Sequence, residues 1–432
     1  MYKPKPTDGD TSWFVHDRFG MFIHWGLYAQ PARHEWVQSK EEIHPDEYRK
    51  YFERFNPVDY DPKKWAAMAR DAGMKYVVLT TKHHEGFCNW DSAYTDYKIT
   101  NTPYGKDVLT PYVEAFRDAG LRVGFYYSLI DWHHPDFPID ILHPLRNHPD
   151  ALEMNKSRDI TKYAAYMRNQ ITELLTQFGE ISVLWCDFSY PGREYRGMPG
   201  KGHEEWESEK LYKLVRKLAP NIILDDRLDL PKEMADIKTP EQWQPTEWVK
   251  VDGEPVVWEA CQTFSGSWGY YRDEMTWKSP GQLIRMLINT VARGGNLLMN
   301  VGPTPKGTLD QRAQDALAVY GEWMDQCHES IYGATQSDYK EPLDCRMTQK
   351  GNKVYVHVFA WPFKHLYLEG LGDKVAYARF LHDGSEIPLK LNDWVSQHLQ
   401  AGENTLILEL PIIKPDVVVP VIELELKACS TS

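Results

Sequence analysis

Apolar residues in the first three-quarters of the chain fall into two kinds of run. One kind is short and nearly unbroken: FGMFIHWGLY (19–28), KYVVLTTK (75–82), RVGFYYSLIDW from Arg122, ISVLW (181–185), NIILDDR (221–227), PVVWEACQTF from Pro255, and GGNLLMNVGP. Runs of this length, bounded by turn residues, predict strands buried on both faces. The other kind recurs every three to four residues and predicts amphipathic helices. These are PVDYDPKKWAAMARDAGM, DVLTPYVEAFRDAG, residues 159–178, EWESEKLYKLVRKLAP, SPGQLIRMLINTVARGG and LDQRAQDALAVYGEWMDQC. Gly73, Gly120 and Gly179 stand where three of these helices should stop.

Strand and helix alternate throughout residues 1–336, which predicts an α/β fold, an irregular (β/α)8-like barrel. Seven strands are clear, not eight. An open doubly wound sheet is the other architecture, but no glycine-rich phosphate loop follows any strand. From about residue 337 to 432 the helical period disappears. CRMTQK, NKVYVHVFAW, HLYLEGL, AYARFLHDGSEIPLKL, NTLILELP and VVVPVIELELKA are strand-like and separated by turns such as Gly351-Asn352 and Asp383-Gly384. They predict a C-terminal antiparallel β-sandwich. No low-complexity linker parts the two domains, so they are expected to pack directly together.

Composition narrows the classes of function. The net charge of −13 argues against nucleic acid or an anionic membrane as partner. No apolar run reaches membrane-spanning length. The start, MYKPKPTDGDTSW, lacks the apolar stretch of a signal peptide, and the six cysteines show no paired spacing. Both features point to a reducing, cytoplasmic setting. Aromatic residues make up 13 % of the chain, suited either to an aromatic core or to a cleft that stacks on sugar rings.

In a barrel, functional groups collect where strands end. The first strand carries His24 and Trp25, with Glu35 and Trp36 behind it. The second runs into His83 and His84. The third gives Tyr126, Tyr127, Asp131 and Trp132, the fourth Trp185 and Asp187. The fifth gives Asp225, Asp226 and Arg227, and the run from Pro255 gives Trp258 and Glu259. In the fourth, the apolar run stops at one acid and dissolves into Ser189, Tyr190, Pro191 and Gly192, so Asp187 is either a turn cap or a functional acid.

No metal is expected. His83 and His84, read as strand neighbours, would point to opposite faces, and no HxH, HExxH or paired-cysteine spacing is present. No G-x-S-x-G marks a serine nucleophile. Asp187 and Glu259 make a better pair. Placed two strands apart with Arg227 between them, inward-pointing carboxyls approach to about 5 Å, the separation of a retaining glycosidase. Arg227 would keep one ionised, and Trp258 would desolvate the other.

RFGMFIHWGLY, HEW (34–36), LTTKHHEGFCNWDS, GFYYSLIDWHHP, LWCDF and GGNLLMNVGP, in this order, resemble the α-L-fucosidases of glycoside hydrolase family 29. The resemblance spans the barrel. It implies a retaining exo-glycosidase that removes terminal α-L-fucose from oligosaccharides or glycoconjugates through a covalent intermediate, with no cofactor. It makes Asp187 similar to the family nucleophile and Glu259, in a Trp-Glu pattern, to the acid/base. His24, Glu35, Trp36, His83, His84, Trp185 and Arg227 would bind the sugar. Tyr126 joins them if strand alternation with Ser128 holds, with Tyr127 as the alternative. Trp268 would form the wall that receives the C5 methyl. The acceptor, a homo-oligomeric state, and a part for Trp394 in completing a site stay open. So do two other readings: a non-catalytic fucose-binding protein on a decayed barrel, and a hydrolase of another galacto-configured sugar.

Overall fold

The computed structural model describes residues 4–391 and 404–428. Trp394 lies outside them. Seven strands form one parallel sheet: β1 (Phe19–Ile23), β2 (Tyr76–Lys82), β3 (Arg122–Ser128), β4 (Val183–Asp187), β5 (Ile223–Leu224), β6 (Glu259–Thr263) and β7 (Asn296–Val301). Their spatial order is β6-β7-β1-β2-β3-β4-β5. Apart from Arg122, every residue of these strands is buried, as the unbroken apolar runs require.

Helices cover the outside: α1 (Pro62–Asp71), α2 (Leu109–Asp118), α3 (Ile160–Gln177), α4 (Ser208–Leu218), α5 (Pro280–Val291) and α6 (Gln311–Cys327). Their ends are written in the sequence. Asp61 accepts from the backbone N–H groups of Lys63 and Lys64 at 3.1 and 3.2 Å, with Pro62 opening α1. Ser279 and Gln282 form a capping box on α5. Just beyond α2, Gly120 takes φ +81°, a left-handed turn that feeds the chain into β3.

The sheet's edge strands β5 and β6 are joined by a stretch that the apolar pattern does not show. The Asp236 N–H donates to the Leu224 carbonyl of β5 at 2.9 Å. On its other side, Lys238 N–H donates to Val257 O (3.0 Å), Glu259 N–H to Lys238 O (2.8 Å), Cys261 N–H to Pro240 O (3.2 Å) and Gln242 N–H to Cys261 O (3.0 Å). Residues 236–242 therefore run parallel to β6 and occupy the eighth position of the barrel wall. Among the described residues no α-helix separates β5 from β6, which makes the barrel irregular here.

The C-terminal part is antiparallel throughout. Thr335–Gln336, Cys345–Lys350, Lys353–Val358, Val421–Leu426 and Val375–Phe380 form one sheet in that order, and His365–Glu369, Thr405–Glu409 and Leu389–Leu391 a second. Met347, Val356 and Leu424 pack with Leu366, Leu368 and Leu408 into an apolar core of their own. The sandwich sits directly on the barrel: the Trp323 indole of α6 donates to Val419 O at 2.9 Å, and Arg293 pairs with Glu341 at 2.8 Å. Five described cysteines are buried and unpaired.

Candidate active site

Asp187 is the last residue of β4 and lies opposite Ser128, the last of β3. Its carboxyl is buried at the mouth of the barrel and has three neighbours. The Tyr126 hydroxyl donates to one oxygen at 2.6 Å, Arg227 Nη1 lies 3.4 Å from the other, and His84 Nε2 stands 4.0 Å away. The next residue, Phe188, has φ +81°, a strained value for a phenylalanine. That turn aims Asp187 inward and sets the Phe188 ring against Trp36 and His84, with centroids 5.3 and 5.1 Å away. Burial pushes the Asp187 carboxyl up to about 7, opposed by the Arg227 charge.

Trp185, one turn of the pleat below Asp187, forms the floor. Tyr126 lies parallel to it at 5.9 Å, and the Arg227 guanidinium sits 4.9 Å from its ring centre. Tyr126 faces the site, whereas Tyr127 points out of the barrel and donates to Gln170 at 2.7 Å. Strand alternation with Ser128 therefore picks the tyrosine that reaches Asp187.

Three neutral imidazoles line one wall. His24 Nδ1 lies 2.6 Å from Asn300 Oδ1, and Asn300 Nδ2 donates to Trp268 O at 2.7 Å. The amide is thereby oriented, His24 Nδ1 must be the donor, and Nε2 is left as an acceptor. Ser128 Oγ donates to Ile130 O at 2.8 Å, so His84 Nδ1, 2.7 Å from Oγ, is likewise a donor. Burial lowers His24 to about 3 and holds His83 and His84 well below the ordinary histidine range. His83 and His84 stand side by side, ring centres 3.9 Å apart, and not on opposite faces. The alternation rule stops applying because β2 ends at Lys82 and the chain turns there, with Gly86 N–H donating to His83 O.

The adjoining wall comes from the loop after β6. Glu35 accepts from Trp268 N–H and Gly269 N–H at 3.2 and 2.8 Å, which ties the loop down over the mouth. Trp268 then lies 5.1 Å from the His24 ring and 5.9 Å from Phe22. Trp36 packs on His84 at 4.6 Å. The structure thus gathers His24, Glu35, Trp36, His83, His84, Tyr126, Trp185, Asp187, Arg227 and Trp268 around the mouth of the barrel.

Glu259 does not join them. It is the first residue of β6, beside Asn296, the first of β7, so it sits at the opposite end of the barrel from Asp187. It is fully buried beneath Trp185, accepting from Tyr76 OH at 2.5 Å and from the Trp185 indole at 3.3 Å. The apolar residues Val256, Val257 and Trp258 precede the strand and do not form its body, so the acid opens β6 where the apolar pattern has it close the strand. A carboxyl sealed under the floor has no path to a glycosidic oxygen.

A further carboxyl at the mouth, beside Asp187, is Glu241. Arg227 Nη2 donates to it at 3.1 Å while Nη1 faces Asp187, so one guanidinium spans both acids. Glu241 belongs to the eighth wall segment, opposite Cys261, and its side chain is 40 % exposed, open to solvent where a leaving group would depart. Thr239 fixes Arg227 in turn, its hydroxyl and carbonyl accepting at 2.9 and 3.1 Å. Asp226 accepts from Thr239 and so serves the scaffold, and Asp131 pairs with buried Lys82 at 3.1 Å outside the pocket. The sequence holds one signal for Glu241: the 27 residues between the predicted strands, 228–254, carry no predicted wall element, too long a stretch for a plain loop.

A sequence profile described as Alpha-L-fucosidase matches residues 2–329. The chain belongs to the α-L-fucosidase family. Human plasma α-L-fucosidase is 28 % identical over 386 residues, covering 81 % of this chain and 76 % of the human protein. The structure of α-L-fucosidase isoenzyme 1 from Paenibacillus thiaminolyticus superposes with TM-score 0.90 at 45 % identity, over 97 % of this chain and 99 % of that one. A GH29 α-L-fucosidase from Bacteroides thetaiotaomicron, solved as a trapped covalent intermediate with 2-fluoro-fucosyl fluoride, superposes with TM-score 0.83. It is 28 % identical over 99 % of this chain and 98 % of that one. Family membership carries with it the barrel-and-sandwich fold described above and glycoside hydrolase chemistry.

Proposed function

We propose that this family member hydrolyses terminal α-L-fucosyl linkages with retention, using Asp187 as nucleophile and Glu241 as acid/base. One observation carries the assignment of roles: a single Arg227 guanidinium holds the mouth carboxyl of β4 and the exposed carboxyl of the eighth wall segment together. In the first step an Asp187 oxygen bonds to the anomeric carbon, the bond to the leaving oxygen breaks, and that oxygen takes the Glu241 proton. In the second, Glu241 takes a proton from water, the water oxygen bonds to the anomeric carbon, and Asp187 is released as carboxylate. Arg227 favours the ionised nucleophile against burial, and the Tyr126 hydroxyl supports it.

The neutral histidines and Glu35 suit a ring rich in hydroxyls, offering acceptors and donors without a net charge from the imidazoles. Trp268 and Phe22 offer an apolar wall to a methyl group, against which a hydroxymethyl oxygen would be buried unpaired. The experiment is to incubate the enzyme with a 2-fluoro-fucosyl fluoride and read intact mass and peptide map. A single adduct on Asp187 is expected. No adduct, or one on another residue, would overturn the assignment.

A further inference from the structure

We propose that Glu259 is a positioning residue: from beneath the pocket floor its carboxyl fixes the plane of Trp185, and through that indole sets both groups that hold the nucleophile. This rests on Asp187 and Glu241 being the reacting pair. The contacts form one chain. Glu259 Oε2 accepts from Tyr76 OH at 2.5 Å and Oε1 from Trp185 Nε1 at 3.3 Å. The same indole is stacked on Tyr126, within 17° of parallel, and has the Arg227 guanidinium 4.9 Å from its ring centre. Tyr126 and Arg227 supply the hydroxyl and the charge that touch Asp187, and Arg227 reaches on to Glu241.

Burial sharpens the point. Glu259 is inaccessible to solvent, and a carboxyl there costs stability unless its oxygens are satisfied. Apolar residues fill most of the barrel interior at this level, Phe22, Val78 and Leu298 among them, so packing alone would be served by a leucine. A carboxyl adds direction. Its two oxygens are held between a donor on β2 and a donor on β4, and the indole N–H can bond only with the ring in one orientation. Packing forces resist indole sliding weakly, whereas losing this bond leaves a buried N–H unpaired.

The decisive feature is length and not charge. Glu259→Gln keeps reach, with the amide oxygen accepting from Trp185 and the amide nitrogen donating to the Tyr76 oxygen. Glu259→Asp keeps the acid but withdraws it from the indole by one methylene. Both variants, and Glu241→Gln as reference, are to be assayed on an aryl fucoside with a good leaving group and on a fucosyl disaccharide. Expected is near wild-type kcat for Glu259→Gln and a fall on the order of 10- to 100-fold for Glu259→Asp, equal on both substrates. Where Glu259→Asp does not fold, Tyr76→Phe, which frees the carboxyl from its second anchor, replaces it with the same expectation. Any order other than Gln above the shortened or freed variant overturns the proposal. A loss confined to the disaccharide also does so, and would make Glu259 the acid. The leaving-group profile of Glu241→Gln tests the acid/base assignment separately, so failure of one reading is distinguishable from failure of the other.

Discussion

Asp187 and Glu259 lie on the inner face of the same barrel, and burial pushes both carboxyls up to about 7. What separates them is the end of the strand. Asp187 closes β4 at the mouth, beside a cation and a row of imidazoles. Glu259 opens β6 at the base, between two neutral donors, with an indole between it and the cavity. On the proposed roles, depth of burial and a displaced titration do not mark a catalytic acid. Access, and a charged partner that is itself positioned, do so.

The largest effect should come from removing the mouth carboxyl. Asp187→Gly is expected to lower kcat at least ~10⁴-fold, as loss of a nucleophile does. Azide should restore part of the turnover on an activated fucoside and yield the azide of inverted configuration, read by NMR. A variant that keeps wild-type turnover would erase the distinction between mouth and floor.

Next in size is Glu241. Glu241→Ala should lower turnover of a fucosyl disaccharide by about 10²–10⁴-fold, the range for general acid catalysis, and turnover of a fluoride or nitrophenyl fucoside far less. Azide should accelerate the second step on activated substrates. Equal losses on good and poor leaving groups would mean that Glu241 only supports Arg227, and the acid would have to be sought elsewhere at the mouth.

How far the sequence reveals this arrangement depends on what each element is made of. β4 and Asp187 are legible because a strand buried on both faces is an unbroken apolar run, and the run visibly stops at the acid. Tyr126 is legible because residues 122–128 are a true strand and obey alternation. The eighth wall segment is hidden because its pairing needs backbone groups and not apolar side chains. Pro240, lacking an N–H, interrupts IKTPEQ, yet its carbonyl still accepts from Cys261. Glu259 is misplaced because periodicity cannot tell the residues that lead into a strand from the strand itself: Val256, Val257 and Trp258 read as its body. His83 and His84 are misread for the converse reason, a strand rule carried past the point where the strand ends.

The smallest effect sharpens the comparison most, because it should be shared by the two carboxyls. Each has a folded pKa of about 7, raised above the ordinary 3.8 or 4.5. Between those values the folded state binds more protons than the unfolded, so each group makes wild-type stability fall as pH rises through that window and then level off above about 7. Asp187→Asn and Glu259→Gln remove the titration. Each variant should therefore gain stability relative to wild type between about pH 4 and pH 7, by on the order of 1–3 kcal/mol, measured by denaturant unfolding at stepped pH. The neutral histidines contribute the opposite slope, but equally in variant and parent, so it cancels in the difference. The two substitutions should then part in function: the gain at Asp187 comes with loss of turnover, the gain at Glu259 without it. A pH-independent difference for either variant would show that burial does not displace that carboxyl. If both slopes appear but Glu259→Gln is inactive, the floor takes part in the chemistry by its charge, and the division between mouth and floor is lost.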